Sequence, residues 1–376
     1  MGKIFLKRTF LNNLVLSCLT VGLFFLLGDV FAYLGNCKDG LSGICWSRWD
    51  SGLYLEIAQK GHTLFPCKEN PEQYCGNAGW APLYPFLIGA LNNAFPQFNP
   101  ANIGIFLSIF FWTGTVFWAN KFTENQSITQ KIPYFLLLLF APGNVYFHAI
   151  FPMSLSVFLL FGLLWNLHKS QFFWAGIFGF FAVLSYSIGF FLLPCLFIWA
   201  VYLWKKNELR LRDAVILLSG PILGLVTWFT YDYVTIGHWN ALFLVQDKYG
   251  HLINFPFKNA GTRFEILWNS RNSLSAFIEI QNFTVWGFVL FACYVFYKKR
   301  TAHFLWLFLF CYVLLFWGIP YGSSMQTALY RNVCLLLPIW FYLFHFISPK
   351  QRHIMLTIMA IFTLPLGKLF ILSILI

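Results

Sequence analysis

Long apolar stretches are the feature that most constrains this chain, because several exceed the roughly 18 residues that a membrane-spanning helix requires. Charged residues make up only 10% of the sequence, against about 25% in soluble globular domains. The stretches are continuous and do not alternate between apolar and polar residues, which argues against a transmembrane β-barrel. We therefore predict an all-α polytopic membrane protein with a single transmembrane domain over residues 1–376.

Clusters of lysine and arginine between the apolar stretches predict which loops face the cytoplasm, since cytoplasmic loops carry the excess of basic residues. With these clusters inside, the chain crosses the membrane about eleven times, from an inside N-terminus to an outside C-terminus. The predicted crossings are residues 11–34, 101–120, 132–149, 154–168, 172–187, 189–204, 213–234, 279–297, 303–319, 333–348 and 354–375. The same rule accounts for the net charge of +12, so we expect no nucleic acid partner.

A further apolar segment, residues 80–95 ("WAPLYPFLIGALNNAF"), is predicted not to cross. A crossing there would place every later basic loop outside. Its prolines and aromatic residues suit the membrane interface, so we predict a juxtamembrane helix within a first outer loop at residues 35–100. The second outer loop covers residues 235–278 and a third outer segment covers 320–332. Function is expected in these polar outer loops.

The first outer loop contains four of the nine cysteines, Cys37, Cys45, Cys67 and Cys75. In an oxidising compartment, four cysteines in a short loop predict two disulfides. A zinc site is the alternative, but it is disfavoured because no C-x-x-C spacing is present. The sequence does not choose among the three possible pairings.

A small charged island, "SRWDSGLYLEIAQKGH" at residues 47–62, follows the first apolar stretch. Asp50 suits the N-cap of a helix over Ser51–Lys60. In the competing interpretation, the Asp50 carboxylate lies beside Arg48 and Trp49 at the lipid boundary. There it acts as a general base that takes a proton from an attacking hydroxyl. Spacing alone favours neither interpretation.

The stretches "RWDSGLYLEIAQKGH" and "GWAPLYPFLIGAL" resemble the opening of the PIG-V family, the GPI mannosyltransferase II type, among the GT-C membrane glycosyltransferases. That family carries a W-D motif, an I-A-x-x-G-Y element and an F-F-P-L-Y-P-L-L element. Here these elements are residues 49–50, 57–62 and 80–85. His62 replaces the tyrosine of the second element, and Trp80 and Ala81 replace two phenylalanines of the third. Bacterial membrane proteins carry the same pattern.

This resemblance implies a GT-C-type helical bundle that transfers a sugar, mannose in the family, from a polyprenyl-phosphate donor to a hydroxyl of a lipid or glycan acceptor. It also implies that Asp50 is the catalytic base on the outer face of the membrane. We expect a bacterial inner membrane with the site facing the periplasm, or an endoplasmic reticulum membrane in a eukaryote. Met153 stands where the family has glutamate, and Tyr186 where it has arginine. These two differences bear on the sugar and the acceptor, which stay open.

The phosphate of such a donor needs a cation, and Arg331 is the first candidate because a guanidinium binds phosphate through two parallel hydrogen bonds. The alternative is an arginine that only extends to the membrane interface. An ordinary interfacial histidine is likewise the alternative for His148. The full set of candidate substrate-binding residues is Arg48, Trp49, His148, Gln246, Lys248, Arg263 and Arg331.

We expect no metal and no cofactor beyond the lipid-linked donor, because Asp50 alone among the acids has a strong claim to the site. Membrane lipids, the donor and the acceptor are the expected partners, and the oligomeric state stays open. Two other functions compete: a transporter or flippase for lipid-linked sugars, and a non-catalytic assembly subunit. A transporter should show inverted repeats and polar breaks near the bilayer midplane, and the sequence shows no such repeat.

Overall fold

Helices make up almost all of the regular structure in this computed structural model, which describes residues 2–248, 260–269, 273–300, 305–318 and 329–374. The α-helices are α1 (Gly2–Leu34), α2 (Gly43–Trp46), α3 (Ser51–Lys60), α4 (Leu83–Ala94), α5 (Pro100–Phe122), α6 (Ile128–Phe140), α7 (Met153–His168), α8 (Phe172–Ser185), α9 (Leu192–Lys205), α10 (Leu211–Ile236), α11 (Ala241–Lys248), α12 (Ala260–Asn269), α13 (Ser273–Lys298), α14 (Trp306–Cys311), α15 (Leu329–Asn332), α16 (Leu337–Phe346) and α17 (Pro349–Ile371). Short 3₁₀ segments lie at Asn144–Phe147, Ser187–Phe191 and Val333–Leu336, and a π-helical segment at Tyr312–Gly318.

Five helices in the described part of the chain are long and apolar enough to cross a membrane. They are Asn13–Leu34, Pro100–Phe122, Leu211–Ile236, Leu274–Lys298 and Pro349–Ile371. Six shorter apolar helices accompany them among the same residues, and each predicted crossing overlaps one of these helices. The prediction of an all-α, membrane-type protein is confirmed at this level, and the number of crossings stays a prediction.

One predicted crossing, residues 132–149, has the wrong bounds. Its helix, α6, ends at Phe140. Ala141 is extended (φ −60°, ψ 142°), as expected for a residue that precedes a proline. Gly143 then takes the left-handed φ of +83° that turns the chain. Residues 141–151 are therefore a buried non-α segment rather than the end of a membrane helix.

The apolar segment at residues 80–95 forms α4, which has 12 residues. At a rise of 1.5 Å per residue, α4 is about 18 Å long. That length is well below the hydrocarbon thickness of about 30 Å. This helix by itself cannot cross a membrane.

Small residues let two of the longer helices approach each other closely. A Cβ atom on Gly220 of α10 would lie 1.9 Å from the carbonyl oxygen of Gly176 in α8. Only glycine fits there, and such small-residue contacts are typical of helix pairs inside membranes, where close van der Waals packing drives association. α8 and α10 are therefore held as a tight pair.

The predicted first outer loop is compact and cross-linked. Disulfides join Cys37 to Cys45 and Cys67 to Cys75, which settles the pairing that the sequence left open. Two short antiparallel strands, β1 (Leu64–Pro66) and β2 (Tyr74–Gly76), form a hairpin that the second disulfide closes. Parts of the second outer loop, 249–259 and 270–272, and most of the third outer segment, 320–328, lie outside the described residues.

Candidate functional site

Asp50 lies at the beginning of α3, in the predicted first outer loop. α3 spans Ser51–Lys60 and ends at Gly61, as the sequence predicts. Asp50 lies at the N-cap position, as predicted, but its side chain makes no capping hydrogen bond. Its backbone is helical (φ −65°, ψ −6°) rather than in the extended conformation that a capping residue adopts. The carboxylate is therefore left to bind partners elsewhere in the fold.

Two donors from distant parts of the chain bind the same Asp50 oxygen, Oδ2. Arg331, in α15, donates through Nη1, and the two side chains form an ion pair. Trp80, just before α4, donates through Nε1 at 3.1 Å. The side chains of Asp50 and Arg331 are 24% and 21% exposed, so the pair is only partly buried. The structure thus brings the predicted base together with the first candidate for binding phosphate.

Aromatic side chains surround this ion pair. The guanidinium carbon of Arg331 lies 5.8 Å from the centre of the Phe151 ring, within the range of cation–π attraction. The Tyr186 side chain lies close enough to Arg331 to interact with its charge, and the Tyr54 ring packs against Phe151 with centroids 5.8 Å apart. Burial raises the pKa of the Tyr54 hydroxyl well above its usual value. This phenol therefore stays protonated at neutral pH and adds no negative charge beside Asp50.

Close packing of α4 fixes α3 against the helical bundle. A Cβ atom on Gly89 of α4 would lie 2.7 Å from the carbonyl oxygen of Ala58 in α3, so only glycine allows this approach. The buried Tyr84 joins α4 to α5, because its hydroxyl lies 2.8 Å from the Gly104 carbonyl and 2.9 Å from Ser108 Oγ. Burial also raises the pKa of Tyr84, which keeps its hydroxyl protonated. The helix that begins at the candidate base is therefore firmly supported.

A second buried pair, which is not among the predicted site residues, fixes the other end of α3. His62 Nδ1 lies 2.7 Å from Oδ1 of Asp232 in α10, and both side chains have no exposed surface. The Tyr231 ring packs edge-on against His62 with centroids 5.1 Å apart. Asp232 is itself the signal in the sequence, because an acid inside an apolar stretch is costly and marks a partnered or functional group.

The two residues that precede Asp50 have other contacts. Arg48 donates to the main-chain carbonyls of Ile371 at 3.1 Å and Ile44 at 3.0 Å, so it ties the loop to the end of α17. Trp49 has a left-handed backbone (φ +50°) and an exposed side chain. Neither residue is bonded to the Asp50 carboxylate in the described part of the chain.

Two further candidate residues, His148 and Arg263, are buried and contact residues outside the Asp50 site. His148 is fully buried, stacks on Phe24 and Trp46, and has its Nε2 atom 2.9 Å from the Phe24 carbonyl. In this structure the His148 ring offers no exposed surface to a substrate. Arg263 of α12 forms a buried ion pair with Glu279 of α13 at 3.3 Å.

The remaining candidates join α11 to the first outer loop. Gln246 donates through Nε2 to the carbonyl of Gly79 at 3.3 Å, immediately before Trp80 in the chain. Lys248 Nζ lies 3.2 Å from Cys75 Sγ. Gln246 therefore supports the segment that carries Trp80, and Lys248 contacts the loop at its second disulfide. Among the described residues, Asp50 Oδ2 is instead bound by Arg331 and Trp80.

The site pairs the partly exposed Asp50 carboxylate with the Arg331 guanidinium. The Tyr54 hydroxyl beside this pair stays protonated. Such a pair can accept a proton and stabilise an anionic leaving group. Within the described residues, no group of three or more His, Cys, Asp or Glu side chains is placed to hold a metal ion. No family model matches this sequence, and no curated protein matches it either.

Proposed function

We propose that this chain is a GT-C-type membrane glycosyltransferase, similar to the mannosyltransferases, in which Asp50 is the general base and Arg331 binds the phosphate of a polyprenyl-phosphate-linked sugar. The observation that carries the proposal is the partly open ion pair between Asp50 and Arg331, which lie 281 residues apart in the chain. A proton acceptor and a cation for the departing phosphate are the two charged groups that this reaction needs.

In the proposed reaction, the acceptor hydroxyl gives its proton to the Asp50 carboxylate while its oxygen bonds to the anomeric carbon of the sugar. The bond between that carbon and the phosphate oxygen breaks, and the electron pair leaves with the polyprenyl phosphate. Arg331 stabilises the charge on the departing phosphate through its guanidinium N–H groups. The single displacement inverts the configuration at the anomeric carbon. A monophosphate leaving group beside an arginine makes a metal unnecessary, so the proposal includes none.

The proposal also places the apolar helices as about eleven crossings of a GT-C bundle, with the site on the outer face. The two disulfides of the first outer loop support this placement, because disulfides persist in oxidising compartments. The outer face is the periplasmic side of the inner membrane in a bacterium, and the lumen of the endoplasmic reticulum in a eukaryote.

The test is sugar transfer by the purified protein in liposomes, with radiolabelled mannosyl polyprenyl phosphate as donor and a lipid and glycan extract of the source cells as acceptor. We expect Asp50→Asn to lower the transfer rate by about 10²- to 10⁴-fold, because the amide accepts hydrogen bonds but cannot take the proton. Glu56→Gln is the matched control, since Glu56 is exposed on the same helix. Transfer at the wild-type rate by Asp50→Asn would contradict the proposal.

The same liposomes separate the competing functions. A transporter or flippase would move the labelled donor across the bilayer at a rate that survives Asp50→Asn. An assembly subunit would neither transfer the sugar nor translocate the donor. Either result would replace the enzyme proposal.

A further inference from the structure

The two oxygens of the Asp50 carboxylate have different surroundings. Oδ2 accepts hydrogen bonds from both the Arg331 guanidinium and the Trp80 indole. Oδ1 accepts none from the residues that the structure describes. Because an indole N–H can only donate, and a guanidinium stays charged, neither partner of Oδ2 can receive a proton. Oδ1 is therefore the oxygen at which a proton can arrive without breaking an existing contact.

The segment that carries Trp80 is held from two sides. The Trp80 backbone N–H donates to the Asn77 carbonyl at 3.2 Å, and the buried Asn77 side chain accepts from the Thr63 backbone N–H at 2.7 Å. From the other side, Gln246 of α11 donates to the Gly79 carbonyl. The indole is therefore presented to Asp50 by a supported turn, so the direction of its N–H is set before any substrate arrives.

We infer that Trp80 is a positioning residue for Asp50. Its indole N–H fixes Oδ2 and so leaves Oδ1, which accepts no hydrogen bond from the described residues, for the proton of the acceptor hydroxyl. The inference rests on the proposed function, because a positioning role has meaning only if Asp50 is the base. Arg331 alone would hold the carboxylate at one point, and a second donor on the same oxygen limits rotation of the carboxylate plane.

The first measurement does not depend on activity. In protein labelled with ¹⁵N at the indole nitrogens of its sixteen tryptophans, Trp80→Phe identifies the Trp80 resonance by its disappearance. Asp50→Asn should move that resonance upfield in proton shift, because a hydrogen bond to a carboxylate is stronger than one to an amide. Glu56→Gln should leave it in place. An unmoved Trp80 resonance in Asp50→Asn would overturn the inference.

The second measurement compares the effects on kcat and on KM in the liposome assay. Trp80→Phe should lower kcat about 3- to 30-fold while KM for mannosyl polyprenyl phosphate stays unchanged, because the lost hydrogen bond orients the base and not the donor. Trp239→Phe, at an exposed tryptophan beyond α10, is the control. If Trp80→Phe folds poorly, benzothienylalanine at position 80 keeps the ring shape and removes only the N–H.

The outcomes distinguish this inference from the proposed function. Loss of transfer in Asp50→Asn together with an unchanged kcat in Trp80→Phe would overturn the positioning role and leave the base in place. Normal transfer in Asp50→Asn would overturn the proposed function and the inference with it. A lower kcat at constant KM in Trp80→Phe, with a shifted indole resonance in Asp50→Asn, supports both.

Discussion

Removing either member of the buried pair of His62 and Asp232 should destabilise the fold, and this is the sharpest structural prediction. The pair joins the end of α3 to α10, and neither side chain has exposed surface. In Asp232→Asn the carboxyl partner of the imidazole is lost while the ring stays buried. In His62→Asn the carboxylate is left inside the fold without its partner.

The magnitude follows from the cost of leaving one member of a buried pair behind. Removing one partner of a buried hydrogen bond costs about 1–3 kcal/mol, and more where the group left behind is charged. That is a large part of the roughly 5–15 kcal/mol by which folded proteins are stable. Replacing both members, His62→Phe with Asp232→Leu, leaves no unpaired polar group, so the double change should cost clearly less than the sum of the single changes.

The assay is the free energy of unfolding in detergent micelles, measured by denaturant titration for the wild type, the two single variants and the double variant. The matched control is the Glu56–Lys60 pair on α3, whose side chains are 42% and 68% exposed at 3.8 Å. Glu56→Gln should change the free energy by no more than about 0.5 kcal/mol. The reasoning is refuted if the single changes at positions 62 and 232 cost no more than this control, or if their effects simply add.

Two further predictions test the contacts around Asp50. Arg331→Lys keeps a positive charge but loses the paired hydrogen bonds of the guanidinium, so inhibition of transfer by polyprenyl phosphate should weaken about tenfold or more. An unchanged inhibition constant would remove Arg331 from the phosphate site. Gly89→Val should push α4 away from the Ala58 carbonyl and destabilise the protein by about 1–3 kcal/mol, whereas Gly52→Ala on α3, where an added Cβ meets no atom within 4 Å, should be neutral or slightly stabilising. Thermal unfolding compares the two glycine variants, and equal midpoints would argue against close packing of α3 and α4.

Features that depend on a short stretch of chain were accessible from the sequence. The hydropathy of each apolar stretch predicts a helix, and the structure has an apolar helix at every one. The bounds of α3 agree with the prediction because Gly61 ends that helix locally. The early end of α6 could also be predicted from the sequence, because Pro142 and Gly143 are residues that end helices.

Features that depend on partners far apart in the chain needed the fold. The role of the Asp50 side chain is the clearest case. Its spacing suits a capping bond, yet its carboxylate binds Arg331 and Trp80 instead, and these lie 281 and 30 residues away. The same holds for His62 and Asp232, which are 170 residues apart. An apolar stretch is recognised by adding up the hydropathy of its own residues, so the sequence by itself determined a helical, membrane-type chain with a charged, cysteine-rich loop after its first helix. An ion pair instead depends on which helices pack together, so only the tertiary structure decided that the Asp50 carboxylate meets a guanidinium.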